Sequence, residues 1–431
     1  MSKFLLLSVL LVCTLSGAFA GNKSFDVTKV FNATNHTVYA GYMNTSENTT
    51  SQMFYHMFSP QGKSFDNSQP IVVWFQGGPG CSGWVGSLLE IGPFQIVQKN
   101  GTLETKYNPY NWAQDNNLLF IDQPFGVGYS SVGNGTAPNM TETAADQVVV
   151  FFEEFFKTYP KLKSNPLYMS GESYGGHYVP SFTARLINKG YKISGMMIGD
   201  GWTYPMKQIT LSNYQLAAGI ISAHRYGIYH DMEERATKLL LQGKYSESSN
   251  YFDGETGEVP NKNDIGNITG ADLLNYRKYG GEIDSDFSAK WLDSSKIREA
   301  FQVPKDVGGY LACSVPIYET FSNDVLRSFA GNFTQITKAT NVLLYSGQND
   351  IEVNTASAYK WISEMDWYGS DAFAASKKQQ WKPKNNGQIQ GFYKKSDSLT
   401  FVQINNAGHL VPQDQPENAY SMISSWMNGN L

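Results

Sequence analysis

Histidine and cysteine are scarce in this chain, six and three among 431 residues, and no group of them has the spacing of a metal site. No metal and no cofactor is therefore expected. Positive charge is not in excess either, since 33 Lys and Arg against 38 Asp and Glu leave a formal net charge of −5. That balance offers nothing to a nucleic-acid backbone, and no nucleic-acid partner is expected. No stretch reaches the roughly 18 to 20 consecutive apolar residues that a membrane-spanning helix needs. The longest mainly apolar run, Phe4 to Leu15, follows Lys3 and precedes the small-residue site Ala18-Phe19-Ala20, so residues 1–20 read as a cleaved signal peptide. The mature protein is expected to be soluble and to travel the secretory pathway to a lysosome, a vacuole or the outside of the cell.

Asn-x-Ser/Thr sequons fit that route. They begin at Asn22, Asn32, Asn35, Asn44, Asn48, Asn134, Asn139, Asn267 and Asn332. Cys13 leaves with the signal peptide, so Cys81 and Cys313 remain as the sole possible intrachain pair in an oxidising compartment. They are expected to form a disulfide, two buried thiols being the alternative.

What the chain has in quantity is glycine, 40 residues, and apolar side chains, 41% of the sequence, enough for a large core. One glycine-bearing segment stands out. Gly171-Glu172-Ser173-Tyr174-Gly175 sits where the short apolar strand Leu167-Tyr168-Met169 gives way to a helix. A serine at a sharp strand-to-helix turn is presented rather than packed, and glycines on either side let strand and helix approach. In a glycine-rich chain the same pattern also arises as an ordinary turn, so partners are needed.

An elbow hydrolase carries its triad in the order Ser, Asp or Glu, His. His36 and His56 precede Ser173, His177 lies one helical turn beyond it, and His224 and His230 fall in a segment that reads as an insertion. His409 remains, in the loop Asn406 to Pro412 behind the alternating strand Leu399 to Ile404; the bland alternative is a surface-loop histidine. For the carboxylate, the strand Val342 to Tyr345 runs through Ser346-Gly347-Gln348-Asn349 to Asp350, which lies at a strand's carboxyl end. Asp324, Asp366 and Asp397 are rivals, none of which directly follows a strand-like run. Ser173 would then attack a carbonyl, His409 would carry its proton, and Asp350 would hold the imidazole. Gln76-Gly77-Gly78-Pro79-Gly80 follows the strand Ile71 to Phe75, and the Gly78 and Tyr174 N–H groups are the candidate oxyanion donors. A phosphate-cradling loop is the competing reading of those glycines, but no Lys-Ser or Lys-Thr follows and a proline interrupts the amides.

With these residues in view, the chain resembles serine carboxypeptidases of the α/β-hydrolase class. The resemblance rests on four blocks in family order: Trp74 to Ser82, Asp122 to Ser130, Gly171 to Pro180, and Gly408 to Pro412. It implies removal of single residues from peptide and protein C-termini, with Ser173, Asp350 and His409 as triad and Gly78 and Tyr174 as oxyanion donors. It also implies a set that recognises the substrate's terminal carboxylate: Gln76, Gly77, Glu90 and Glu172, the two glutamates sharing a proton. Such a pair would favour acid pH, because raising the pH removes the donor. The family usually has asparagine where this chain has Gln76. A subgroup resembling vitellogenic-like carboxypeptidases carries glutamine there, but this chain, unlike that subgroup, keeps Cys81.

The expected architecture is an α/β-hydrolase fold: a mostly parallel central sheet flanked by helices, with a helical cap insertion. His36 to Phe58 alternates like a hairpin, Asn117 to Ile121 and Gly195 to Ile198 read as buried strands, and Ala144 to Phe156 has helical periodicity. Residues 21–203 and 302–431 are expected to form the core and 204–301 the cap over the active site, or else a surface elaboration. Two other functions share these residues. An acyl-enzyme can be resolved by an alcohol instead of water, giving an acyltransferase, and the scaffold can serve as a non-enzymatic binding or protective partner. An intact Ser, Asp and His set argues against the last.

Overall fold

The computed structural model describes residues 21–31, 35–45, 49–252, 274–278, 286–383 and 387–431. Its strands are β1 (Lys23–Asp26), β2 (Val38–Asn44), β3 (Gln52–Phe58), β4 (Ile71–Phe75), β5 (Phe94–Lys99), β6 (Thr102–Tyr107), β7 (Asn117–Ile121), β8 (Leu167–Glu172), β9 (Ile193–Gly199), β10 (Asn341–Gly347), β11 (Gln379–Trp381), β12 (Gly391–Ser396) and β13 (Leu399–Ile404). Eleven of them make one sheet in the order β1-β2-β3-β7-β4-β8-β9-β10-β13-β12-β11, while β5 and β6 pair separately. The six central strands, β7 to β13 in that order, run parallel, and both edges are finished by antiparallel strands.

The central strands are mainly apolar because both faces are covered. Along β4, Ile71, Val73 and Phe75 enter one core and Val72 and Trp74 the other, the period-2 alternation of a pleated strand. On the first face lies the helix Thr141–Thr158, which buries Val148, Phe152, Phe155 and Phe156 at helical spacing before Pro160 opens a new turn. Each such aromatic contributes roughly 1.5–3 kcal/mol through burial. The helix Gly175–Asn188 packs beside it, and Pro416–Met427 covers the opposite face.

Between β9 and β10 the chain leaves the sheet and forms the helical cap insertion. Ile221, Tyr229 and Met232 from this insertion pack with Ile351, so the cap rests on the residue next to Asp350. The last part of the 204–301 segment behaves differently. Trp291, Leu292, Ile297 and Phe301 are buried in the second core, where Trp291 lies 5.7 Å from the Phe31 ring and Phe301 lies 5.1 Å from Trp84. Among the described residues, no helix is long and apolar enough to cross a membrane. The signal-peptide reading of residues 1–20 lies outside the described residues.

Candidate active site

Ser173 follows β8 directly and has φ +60°, a left-handed conformation that costs a serine about 1 kcal/mol or more. The surrounding bonds hold it there. Its N–H donates to Gly199 O at 3.1 Å, and its carbonyl accepts from Gly176 N at 2.8 Å and Trp202 N at 2.9 Å. Close approach is demanded at Gly171, where a Cβ would lie 2.5 Å from Phe75 O, and at Gly176, where one would lie 2.6 Å from Trp202 N. The tight glycine on the helix side is therefore Gly176 more than Gly175, whose Cβ would stand 3.3 Å from its nearest neighbour.

The parallel register brings the carboxyl ends of β8, β9, β10 and β13 to one edge: Glu172 pairs with Gly199, Gly199 with Tyr345, and Gly347 with Ile404. Beyond β10, Asp350 is fully buried and its Oδ1 accepts from the N–H groups of Glu352 and Val353 at 2.8 and 3.0 Å. Its Oδ2 lies 2.7 Å from Nδ1 of His409, which leaves the other imidazole nitrogen for a further partner. Burial lowers the proton affinity of His409, but the charge and hydrogen bond of Asp350, with Glu352 and Glu90 behind them, outweigh it and hold the imidazole up to about 9.

The rival residues lie elsewhere. His177 Nδ1 is bonded to Trp202 O and its ring stacks on Tyr174 at 4.3 Å; burial holds it down to about 4. Asp324 accepts from Thr141 and the Tyr174 hydroxyl. Asp397 does directly follow a strand, β12, contrary to the sequence reading, but it occupies the tight turn into antiparallel β13, at the opposite end of that strand from His409. Sequence reasoning missed Asp200. It follows β9 at once, is 1% exposed, and offers a carboxylate oxygen within 4.8 Å of ligand atoms of both Asp350 and His409.

The glycine loop meets the elbow edge to edge. A Cβ on Gly77 would lie 2.7 Å from Ser173 Cβ and 2.8 Å from Tyr174 N, and Gly78 has φ +110°, open to glycine alone without strain. Among the described residues, neither the Gly78 nor the Tyr174 N–H donates to another backbone or side-chain group. Cys81 and Cys313 are joined as a disulfide, and Ser82 N to Ala312 O and Ser314 N to Gly80 O, at 2.8 and 2.9 Å, pin the same two segments together.

Beneath the loop, Gln76 Oε1 accepts from Trp74 Nε1 at 2.8 Å, and its Nε2 donates to Glu172 at 2.9 Å and to Glu90 at 3.4 Å. The longer glutamine side chain thus reaches both carboxyls. Burial pushes Glu90 up to about 7 despite hydrogen bonds from Glu172 and Gln76, and burial together with Glu90's charge raises Glu172 well above the usual carboxylate range. Among the described residues, neither Oε2 receives a donor from outside the pair. Beside Ser173, Trp202, Leu211, Phe252, Tyr318, Val325 and Val353 line an apolar pocket with Glu352 at its wall. Of the sequons, Asn22, Asn35, Asn134 and Asn139 are exposed, Asn44 and Asn332 are half-buried, and Asn32, Asn48 and Asn267 lie outside the described residues.

Known proteins are similar to this chain in sequence and in fold. The venom serine carboxypeptidase of Apis mellifera is 33% identical over 400 residues, covering 90% of this chain and 83% of that one. The probable serine carboxypeptidase CPVL of Dictyostelium discoideum is 30% identical over 407 residues, covering 90% and 78%. In fold, the chain is similar to the crystal structure of Kex1, a prohormone-processing carboxypeptidase from Saccharomyces cerevisiae, with a TM-score of 0.77 at 22% identity over 91% of this chain and 92% of that one. Residues 29–429, nearly the whole chain, match the sequence profile of one family, and on that match this chain belongs to the serine carboxypeptidase family.

Proposed function

We propose that this serine carboxypeptidase forms its acyl-enzyme on Ser173, with His409 as general base and acid and Asp350 as the carboxylate that orients it. The observation that carries this reading is the buried 2.7 Å contact between His409 and Asp350, residues 59 apart in sequence, at the sheet edge where Ser173 also sits. The Ser173 hydroxyl adds to the carbonyl of the last peptide bond while its proton passes to the free nitrogen of His409. Collapse of the tetrahedral intermediate breaks the C–N bond, and the proton goes to the departing amine. Water then attacks the ester by the same route in reverse and frees Ser173. The Gly78 and Tyr174 N–H groups stabilise the oxyanion in both halves.

Exopeptidase selectivity comes from Gln76, the Gly77 N–H, Glu90 and Glu172, which receive the substrate's terminal carboxylate. A third negative charge beside two buried carboxyls is tolerated only while the pair keeps a proton to donate. Free-carboxylate peptides therefore bind better in acid. His409 titrates in the opposing sense, because its base form grows as the pH rises towards about 9. The acid preference thus belongs to recognition of the carboxylate and not to the chemical step.

Within the cap insertion, residues 204–252 are the part that shapes the acyl-side pocket. The apolar leader, the exposed sequons Asn22, Asn35, Asn134 and Asn139, and the Cys81–Cys313 bridge support passage through the secretory pathway to a lysosome, a vacuole or the exterior, with glycans on those asparagines. The test is a mass-spectrometric time course on a peptide of mixed sequence. The expected product is a ladder shortened one residue at a time from the C-terminus, absent with Ser173→Ala. Internal cleavage, or an unchanged ladder with Ser173→Ala, overturns the reading.

A further inference from the structure

Four buried carboxyls, Glu90, Glu172, Asp200 and Asp350, lie at or near the sheet edge that carries Ser173, and the mechanism above uses three of them. Asp200 is the one without a task. It is tied to β10, the strand that leads to Asp350: its N–H donates to Tyr345 O at 2.8 Å, and its Oδ1 accepts from Gly347 N at 3.0 Å. These ties hold it at φ +41°, a left-handed conformation for which a non-glycine residue needs a reason. Among the described residues, nothing donates to its enclosed Oδ2.

The surroundings of that oxygen explain why. Among the described residues, the titratable groups facing Asp200 are Asp350 and His409 beyond β10 and β13, Tyr345 on β10, and Glu172 on β8, with no lysine or arginine. Two carboxyls in contact inside a protein are held together only when one of them carries a proton, since two bare carboxylates repel at close range without screening. Of the two, Asp350 already accepts two backbone N–H groups and the imidazole, whereas Asp200 accepts the Gly347 N–H and a smaller contribution from Ser346. The proton therefore resides on Asp200. Burial, then the charge of Asp350 and the hydrogen bond with it, raise the Asp200 carboxyl well above the usual range.

We propose that Asp200 is a positioning residue of the triad: a neutral carboxylic acid that donates a hydrogen bond to the Asp350 carboxylate, fixing it against His409 and weakening its pull on the imidazole proton. A bare Asp350 would hold that proton more tightly and leave less base at acid pH. A protonated Asp200 spreads the Asp350 charge over a second bond and lets His409 deprotonate lower on the pH scale. The proposal rests on the assignment of Asp350 and His409 made above.

The experiment measures kcat and KM for a C-terminally blocked ester, a substrate indifferent to the Glu90–Glu172 pair, from pH 4 to 9 in wild type, Asp200→Asn and Asp200→Leu. Asparagine keeps an N–H donor without charge, so Asp200→Asn should stay within about threefold of wild-type kcat with its acid limb unmoved. Leucine removes the donor, so Asp200→Leu should lose about tenfold in kcat at nearly constant KM, with its acid limb displaced upward by about half a pH unit or more. If an ionised Asp200 were the working form, Asp200→Asn would lose as much as Asp200→Leu, or its acid limb would move downward; either result overturns the proposal. Should Asp200→Leu fail to fold, the position of the Asp200→Asn acid limb decides alone. Failure of the underlying triad would show separately, as a wild-type enzyme whose Ser173 takes up no phosphonate probe.

Discussion

The buried glutamate pair makes a quantitative claim about pH that can be separated from everything else in the site. Consider a free-carboxylate peptide and the same peptide blocked as an ester, both cleaved by one enzyme, and take the ratio of their kcat/KM values. His409 and Asp350 act on both substrates alike, so their titration cancels and the ratio reports carboxylate recognition alone. Glu90 is pushed up to about 7 by burial, and burial with the charge of Glu90 raises Glu172 well above the usual carboxylate range. Below about pH 6 the pair keeps its proton and the ratio should be flat. Above 7 each pH unit removes the donor from nine-tenths of the remaining competent molecules, so the ratio should fall about tenfold per unit, about 1.4 kcal/mol. Between pH 5 and 8 the total loss is about tenfold. Glu90→Gln, which cannot ionise, should abolish the transition near 7. The assay is initial-rate hydrolysis in buffers of constant ionic strength. A ratio that stays flat from pH 5 to 9, or one that keeps its break near 7 in Glu90→Gln, would show that these glutamates do not read the terminal carboxylate.

Other consequences concern the scaffold. His56 lies between Trp84 and Phe120, 3.6 and 4.9 Å from their ring centroids, with neither ring nitrogen bonded, and burial holds its pKa well below the usual value. Its unfolded form gains a proton below about 6.5 while the folded form does not, so it costs the wild type stability as the pH falls; His56→Phe should be more stable by about 1–3 kcal/mol at pH 7 and gain about 1 kcal/mol more per pH unit below 6.5 in urea denaturation. Equal gains at pH 7 and 5 would contradict this. Gly77→Ala forces a Cβ to 2.7 Å from Ser173 Cβ and should lower kcat for free and blocked substrates alike by about a hundredfold, measured by initial rates, with wild-type activity ruling out the packing described. The Cys81–Cys313 bridge closes a separation of 232 residues, and Cys313→Ser should cost about 2–5 kcal/mol by thermal denaturation; an unchanged Tm would refute a stabilising role.

Much of the site was readable before folding because its signals are local. Ser173, Asp350 and His409 each stand just past a short apolar run, and the parallel sheet follows from several such runs separated by helical periodicity. Asp200 satisfies the same criterion, since it comes directly after β9, yet within Gly199-Asp200-Gly201 it looks like an ordinary turn aspartate. Its meaning arises only when β9 and β10 become neighbours across the sheet, although 141 residues separate Asp200 from the start of β10 at Asn341, and no local pattern announces that pairing. The helices Asp286–Leu292 and Ser295–Ala300 illustrate the same limit. Polarity placed them with the cap, whereas Trp291, Ile297 and Phe301 bury against Phe31 and Trp84 in the core. No apolar run announces the hairpin of β5 and β6, because Thr102–Tyr107 is largely exposed and carries charge.

Ser173, His409 and Asp350 are proposed to act as one nucleophilic unit. The most direct test is the rate at which a fluorophosphonate forms a covalent adduct, with the modified residue located by tandem mass spectrometry of the digested protein. The account predicts a single adduct on Ser173, abolished in Ser173→Ala and slowed by a thousandfold or more in His409→Ala, while His177→Ala labels normally. An adduct on another residue, or labelling that depends on His177 and not on His409, would contradict it.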